Sequence, residues 1–264
     1  MYAFSYSQPG SVSGAVAELA NEDAKALAGG QTLIPTLKQR LASPSALVDL
    51  GGLKELSGVS RDGDSLVIGA LTRHVAVATS DVVKGAIPAL AALAAGIGDP
   101  AVRNRGTIGG SIANDDPAAD YPAGALALGA TIVTDKRSIA ADDFFKGLFE
   151  TALEPAELIT SVRFPIPQKA AYVKFPNPAS RYALVGVFVA KTAAGVRVAV
   201  TGAGSSGVFR VPAFEQALSA NFSASALNGL TVDASELASD IHADSDYRAH
   251  LIGVLAKRAV EAAG

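Results

Sequence analysis

The 264-residue sequence contains no cysteine. That absence excludes disulfides, thiolate-ligated metal centres and any iron–sulfur cluster held by this chain, because each needs sulfur ligands. Tryptophan is absent and methionine occurs once, which describes composition and points to no function. Positive charge is not in excess: the formal net charge is −3 and the sequence pI is about 5.6, so the basic footprint that a nucleic-acid backbone demands is missing. No apolar run approaches the ~20 residues a membrane span requires. The first residues, Met1-Tyr2-Ala3-Phe4-Ser5-Tyr6, lack the positive region and apolar stretch of a signal peptide. These absences predict a cytoplasmic protein with no nucleic-acid partner and no membrane span. His74, His242 and His250 are widely separated, and without converging ligands they predict no metal site.

What is present is a pair of glycine-and-hydroxyl loops. The first is Ala28-Gly29-Gly30-Gln31-Thr32-Leu33-Ile34-Pro35, and the second runs from Val102 through Arg103-Asn104-Arg105-Gly106-Thr107-Ile108-Gly109-Gly110-Ser111 to a carboxylate and proline cluster ending at Tyr121-Pro122. Glycine lets backbone N–H groups approach a ligand closely. The second stretch reads as too poor in apolar side chains to be a core element. Two such loops suggest one extended phosphate-bearing ligand gripped from two sides.

Helical spacing is expected over Ser13 to Leu19, a strand over Lys25 to Ala28, a helix over Leu33 to Leu41 and a strand over Ser45 to Leu50. This is a βαβ-like unit whose helix N-terminus faces the first loop, where an anion is favoured. Strands are expected over Leu56 to Ser60 and Ser65 to Ala70, joined by an Asp62-Gly63 hairpin signal. Short helices follow at Thr72 to Ser80, Ile87 to Ala95 and Pro122 to Leu128. Thr131 to Thr134 reads as a strand, Asp142 to Phe145 starts a short helix, and Leu158 to Phe164 is a strand closed by Pro165 and Pro167. That proline pair is the boundary candidate. Beyond it, strands at Ala171 to Phe175, Leu184 to Ala190 and Val196 to Val200 precede helices at Pro212 to Leu218 and Tyr247 to Ala262, an α+β pattern.

The two loops, with Leu47-Val48-Asp49-Leu50 and Asp116-Pro117-Ala118-Ala119-Asp120 between and after them, resemble the FAD-binding medium subunit of molybdenum hydroxylases, the carbon monoxide dehydrogenase and xanthine dehydrogenase group. The resemblance runs in order over nearly the whole chain. It implies an α/β and α+β fold: a two-subdomain PCMH-type FAD-binding domain at 1–167 (subdomains about 1–55 and 56–167), then a small α+β domain at 168–264 like the carbon monoxide dehydrogenase flavoprotein C-terminal domain. FAD is expected in the cleft between the subdomains, and the tail is expected to be shorter than in many relatives. The implied cofactor contacts are Leu27, Ala28, Gly29, Gly30, Gln31, Thr32, Leu33 and Ile34 in the first loop, Thr107, Ile108, Gly109, Gly110 and Ser111 in the second, and Asp120. Ile159 and Lys174 match later contact positions, and Tyr182 matches a tyrosine beside the isoalloxazine ring; its other reading is a half-buried strand tyrosine. Gln31 departs from relatives that carry His, and it cannot become cationic.

By this resemblance the chain is an electron-transfer subunit of an oxidoreductase. The molybdenum cofactor and iron–sulfur clusters would sit on a large and a small partner subunit, as a dimer of heterotrimers, with FAD passing electrons to NAD, quinone or oxygen. No catalytic acid or base is assigned. A free-standing FAD-dependent oxidoreductase and a non-catalytic assembly subunit remain as competing readings. Gly202-Ala203-Gly204-Ser205-Ser206-Gly207 matches the dinucleotide fingerprint literally, but extended chain and a proline follow it, and residues 222 to 229 hold no carboxylate; it reads as a turn. Asp115-Asp116 reads as a turn or helix cap rather than an acid–base pair. Valine at Gly30 or Gly109 is expected to block backbone approach to the phosphates while leaving a folded chain.

Overall fold

A computed structural model describes all residues from 1 to 264. The chain opens with β1 (Ser5–Ser7), α1 (Val12–Leu19), β2 (Ala24–Leu27), α2 (Leu33–Lys38) and β3 (Ala46–Asp49). Both β1 and β2 pair with β3 in parallel, giving a three-stranded sheet in the order β1-β3-β2. The βαβ-like reading therefore holds for β2, α2 and β3. Ser11 caps α1 by accepting the Gly14 N–H, and Ala15, Val48, Leu50, Leu53 and Leu56 form the small core beneath. The second helix stops three residues before the expected Leu41. Gln39 closes it, and Arg40 takes a positive φ of 59°, which an α-helix cannot continue through.

The second region contains β4 (Val59–Asp62), β5 (Ser65–Gly69), α3 (His74–Thr79), α4 (Asp81–Ala86), α5 (Pro88–Ala95), α6 (Pro100–Arg103), α7 (Ile108–Asn114), α8 (Asp120–Leu128), β6 (Thr131–Thr134), β7 (Ser138–Ala140), α9 (Ala141–Phe144), β8 (Phe145–Gly147), β9 (Glu150–Thr151) and β10 (Ile159–Pro165). Five of these strands form a sheet in the order β4-β5-β10-β6-β7, antiparallel throughout. The Asp62-Gly63 hairpin is present, with Gly63 at φ 57°. The strand expected over Leu56 to Ser60 begins later, at Val59, because Leu56 closes a 3-10 turn over Lys54–Leu56. The one-turn α9 passes directly into β8. The larger correction is at the second glycine stretch: seven of its residues form α7, with Ile108, Gly109 and Ile112 buried. Its small side chains allow close packing, so the segment is a core element despite its composition.

The third region has β11 (Lys169–Pro176), β12 (Ala183–Thr192), β13 (Gly195–Thr201), β14 (Phe209–Arg210), α10 (Pro212–Ala220) and α11 (Ser245–Ala263). Its four strands pair antiparallel in chain order. Val185, Val187 and Val189 join a core with Leu251, Ile252 and Leu255 of α11. On the opposite face, Phe188 and Ala190 enter the core of the second region. A strand buried on both faces reads as a continuous apolar run, as Ala183 to Ala190 does. Packing is therefore continuous across the proline-rich joint at 165–167.

Candidate functional site

The first loop leaves β2 and enters α2 through Gly30, whose φ of 73° is accessible to glycine at little cost. No backbone N–H from Ala28 to Leu33 donates to any protein acceptor, although these residues are only partly exposed or exposed. Such N–H groups are open to water or to a ligand, and a run of them beside a glycine turn can take up an anion. The Gln31 amide folds back onto the Gly29 carbonyl at 3.3 Å.

The second loop differs. Ile108 N–H donates to the Thr72 carbonyl at 3.1 Å and Gly109 N–H to the Ala70 carbonyl at 2.8 Å. Thr107 caps α7, its hydroxyl accepting the Gly110 N–H at 3.2 Å and its carbonyl the Ser111 N–H. A Cβ at Gly109 would lie 2.6 Å from the Ala70 Cβ and 2.8 Å from the Ala70 carbonyl oxygen. At this glycine the missing Cβ lets α7 lie against Ala70, just past the end of β5, a packing need that sequence reasoning had not assigned to it. Gly110 is the exposed glycine of the pair.

The two loops meet. A Cβ at Gly29 would strike the Arg105 carbonyl, and one at Gly110 would stand 3.8 Å from the Ala28 Cβ. Leu27 to Ile34 and Thr107 to Ser111 therefore line one junction between the first and second regions. Arg73, which bridges Thr107, and Arg105 are exposed there and belong to no ion pair. An open cleft of about 520 Å³ lined by Ser57, Gly58, Thr72 and Arg73 adjoins the second loop through that bridge.

Asp120 and Lys174 form a second group. Asp120, 4% exposed, receives the Lys174 ammonium at 2.9 Å and the Tyr172 hydroxyl, and the same ammonium donates to the Gly96 carbonyl at 3.1 Å. Burial pushes the Asp120 carboxyl up, and Lys174 and Tyr172 hold it back. Ile159 lies in the core; its neighbour Thr160 accepts the Ala70 N–H, which ties it indirectly to Gly109. Tyr182 sits 48% exposed at the β11–β12 turn. Its hydroxyl pKa is raised by burial and then by the Asp116 and Asp120 carboxylates.

Two residues given no ligand role carry unexpected electrostatics. His74 donates its N–H to the Gly106 carbonyl and lies under that glycine, where a Cβ would come 2.5 Å from Nε2. Its ring is 5.4 Å from that of Tyr121, and both Nδ1 and the Tyr121 hydroxyl lack a protein partner. Burial, then Arg103, lowers the imidazole pKa to about 4, so the ring is neutral at physiological pH. Asp115 closes α7 in a left-handed conformation, φ 43°, with Oδ1 buried and unpaired. Burial, then Asp116, pushes its carboxyl up to about 7. A histidine next to a strand end and a doubled aspartate gave only weak signals in the sequence. No group of His, Cys, Asp and Glu forms a metal site, and no helix is long and apolar enough to cross a membrane.

The Gly202–Gly207 stretch is a turn, with φ of 82° at Gly202 and 104° at Gly207, and Ser205 donates to the Glu236 carbonyl. No helix starts inside it. A cleft of about 440 Å³ lined by Ser205, Ser206, Phe209, Val232 and Glu236 includes no residue of either glycine loop.

Residues 2–167 match the family described as the FAD binding domain in molybdopterin dehydrogenase. The carbon monoxide dehydrogenase medium chain of Afipia carboxidovorans is 36% identical, over 98% of this chain and 96% of that one. The nicotine 6-hydroxylase medium subunit of Paenarthrobacter nicotinovorans is 35% identical over 99% and 98%. Among solved structures, carbon monoxide dehydrogenase from Hydrogenophaga pseudoflava superposes with a TM-score of 0.89 at 36% identity, covering 98% of this chain and 96% of that one. The matches thus run through nearly the whole length of both chains.

Proposed function

The chain belongs to the family of FAD-binding domains of molybdopterin dehydrogenases and is a component of an oxidoreductase; from that premise we propose that it is the electron-transfer subunit of a molybdenum hydroxylase. The observation that carries the proposal is the run of N–H groups from Ala28 to Leu33 without protein acceptors, in a loop that meets the second loop at Arg105 and Gly110, beside two unpaired arginines. That donor set fits a pyrophosphate: backbone dipoles and guanidinium groups stabilise negative charge without a metal.

In this reading the N–H groups of the first loop hold the phosphates, with Arg73 and Arg105 neutralising them. The hydroxyls of Thr107 and Ser111 and the exposed backbone of Gly110 support the other side. Leu27, Leu33, Ile34 and Ile108 supply apolar walls, and Gly109 acts through packing. Gln31, folded onto Gly29, shapes the loop as a neutral group. Asp120 and Lys174 fix the turn at Gly96, and Tyr182 flanks the ring end, with Ile159 behind it. FAD, when bound, carries the electrons, while the chain positions it and sets its surroundings.

The domain boundaries that accompany this reading are 1–167 for cofactor binding, divided near 55, and 168–264 for the C-terminal domain. Its partners are a large subunit with the molybdenum cofactor and a small iron–sulfur subunit, arranged as a dimer of heterotrimers, with the cytoplasm as the compartment. The absence of cysteine supports clusters on another chain, and relatives named medium chain or medium subunit support a multi-subunit assembly. The test is a visible absorption spectrum of the chain purified from its native source, with iron, molybdenum and co-purifying chains quantified. Flavin with both metals and two partners is the expected result. Flavin on a solitary chain would establish the free-standing oxidoreductase instead, and a chain without flavin would overturn FAD binding altogether.

A further inference from the structure

The cleft at the Gly202–Gly207 turn is built by the third region alone, from residues between Gly204 and Leu237. Its volume of about 440 Å³ lies within the range of small-molecule sites. Backbone pairing holds its walls together. Ala238 N–H donates to the Ala203 carbonyl at 2.9 Å and Ser205 N–H to the Glu236 carbonyl at 3.0 Å, and the Ser205 hydroxyl donates to that same carbonyl at 2.8 Å. The cleft is therefore preformed. A Cβ at Gly204 would lie 2.8 Å from Phe209 Cδ1 and would strike the Gly207 carbonyl oxygen. This glycine thus lets the Phe209 ring lie against the turn, and Val232 and Leu237 add further apolar surface to the cleft.

The charges that line it do not balance. Arg210 is its one cationic residue, and no lysine or histidine joins it. Its guanidinium is already taken: Nε and Nη2 donate to Glu215 at 2.8 and 2.6 Å, and Nη1 donates to Asp142 at 3.1 Å. Asp233 and Glu236 are exposed and belong to no ion pair, although Asp233 accepts the Ser235 N–H at 2.9 Å. The positive end of α10, which opens on the cleft at Pro212, is met by that helix's own Glu215. The Ser206 and Thr231 hydroxyls can donate or accept, so they favour neither sign. What remains uncompensated is negative charge at the rim of an apolar cleft with an aromatic wall.

We propose that this cleft binds a small organic cation, a ring-bearing ammonium compound. Its ring enters against Phe209, Val232 and Leu237, and its charge stays at the rim with Asp233 and Glu236. Burial of the ring supplies attraction of one kind. Carboxylates and an aromatic face supply the other, since both draw an ammonium group. An anion would meet two unpaired carboxylates, and a neutral ring would leave them unused. The cleft shares no residue with either glycine loop or with the Asp120–Lys174 pair, so this site stands or falls apart from the electron-transfer reading.

The test is calorimetric titration of the full chain at neutral pH with benzylamine, which is cationic there, and with benzyl alcohol and benzoate, which carry the same ring. Benzylammonium is expected to bind with a Kd of about 1 mM or tighter. It should bind at least about fivefold more tightly than benzyl alcohol, with benzoate weakest. Added sodium chloride should weaken the cation alone, because the rim carboxylates are exposed to screening. Glu236→Gln should lower benzylammonium affinity by about threefold and leave benzyl alcohol unchanged. Ser206→Lys, which sets a cation at the exposed turn, should weaken benzylammonium in the same direction. Both changes lie at exposed side chains, so both variants should melt with the wild type. Glu55→Gln, at an exposed carboxylate outside the cleft, should alter nothing. No binding of benzylammonium, equal binding of all the probes or a preference for benzoate would overturn the proposal. So would a benzylammonium affinity that Glu236→Gln and Ser206→Lys both leave as it was.

Discussion

The two glycine loops look alike in sequence and do opposite things with their backbones. From Ala28 to Leu33 the N–H groups are free, and Gly30 supplies a positive φ. At Ile108 and Gly109 they are spent on Thr72 and Ala70, and Gly109 is buried. One loop leaves its donors without protein partners, while the other spends its own on packing α7 against the chain at Thr72 and Ala70. The same residue type thus serves approach in one place and packing in the other.

Substituting Gly109 should separate the two roles most sharply. Gly109→Val drives a side chain into Ala70 and is expected to cost roughly 3 kcal/mol or more, seen as a lowered urea midpoint before any ligand is added. A variant as stable as the wild type would return this glycine to the ligand-approach role.

The second loop also carries a charge problem that the first lacks. The folded-state pKa of Asp115 is about 7, above its ordinary 3.8, so the native chain binds more protons than the unfolded chain between those values. Stability contributed by the protonated form is lost as pH rises from about 4 through 7. Asp115→Asn should therefore raise stability at pH 8, by on the order of 2–4 kcal/mol, with little gain at pH 4. His74 acts in the reverse sense. Its pKa is lowered to about 4 from 6.5, so its contribution is complete above 6.5 and is lost as pH falls toward 4. The stability difference from wild type across pH 4 to 8 should slope in opposite directions for Asp115→Asn and His74→Gln; parallel differences would mean that neither group is buried as described.

Smaller effects belong to the first loop. Gly30→Ala should cost about 1–2 kcal/mol through its positive φ, and FAD affinity should fall with it when titrated by flavin fluorescence. Retention of full affinity would place the phosphates elsewhere. His242→Ala, at an exposed residue, should change stability by no more than about 0.5 kcal/mol and leave flavin content as it was.

Much of the first loop was legible because its signals are local. A strand, a glycine turn and a helix follow one another within residues 24–38, and the parallel pairing of β2 with β3 is what that order demands. The second loop was misread because composition hid its helix. Glycine and serine score poorly as helix formers, yet their small size lets α7 lie against Ala70. The Asp120–Lys174 pair spans 54 residues of chain, and no periodicity links such positions. Tyr121 and His74 became neighbours only through α8 and α3 packing around the same core.

The sequence by itself determined the elements around the first loop and two loops suited to an extended phosphate-bearing ligand, while FAD itself entered through the family resemblance those motifs carry. The local part was legible because glycine, proline and the spacing of apolar residues act over a few positions, and because an absent cysteine excludes whole chemistries at once. Tertiary structure alone decided which loop gives its N–H groups away, which glycine is buried, and that the positive-φ turns at Asp115 and Phe149 meet. Those outcomes depend on desolvation and on close approach between segments distant in the chain, and both arise only when the whole molecule is packed.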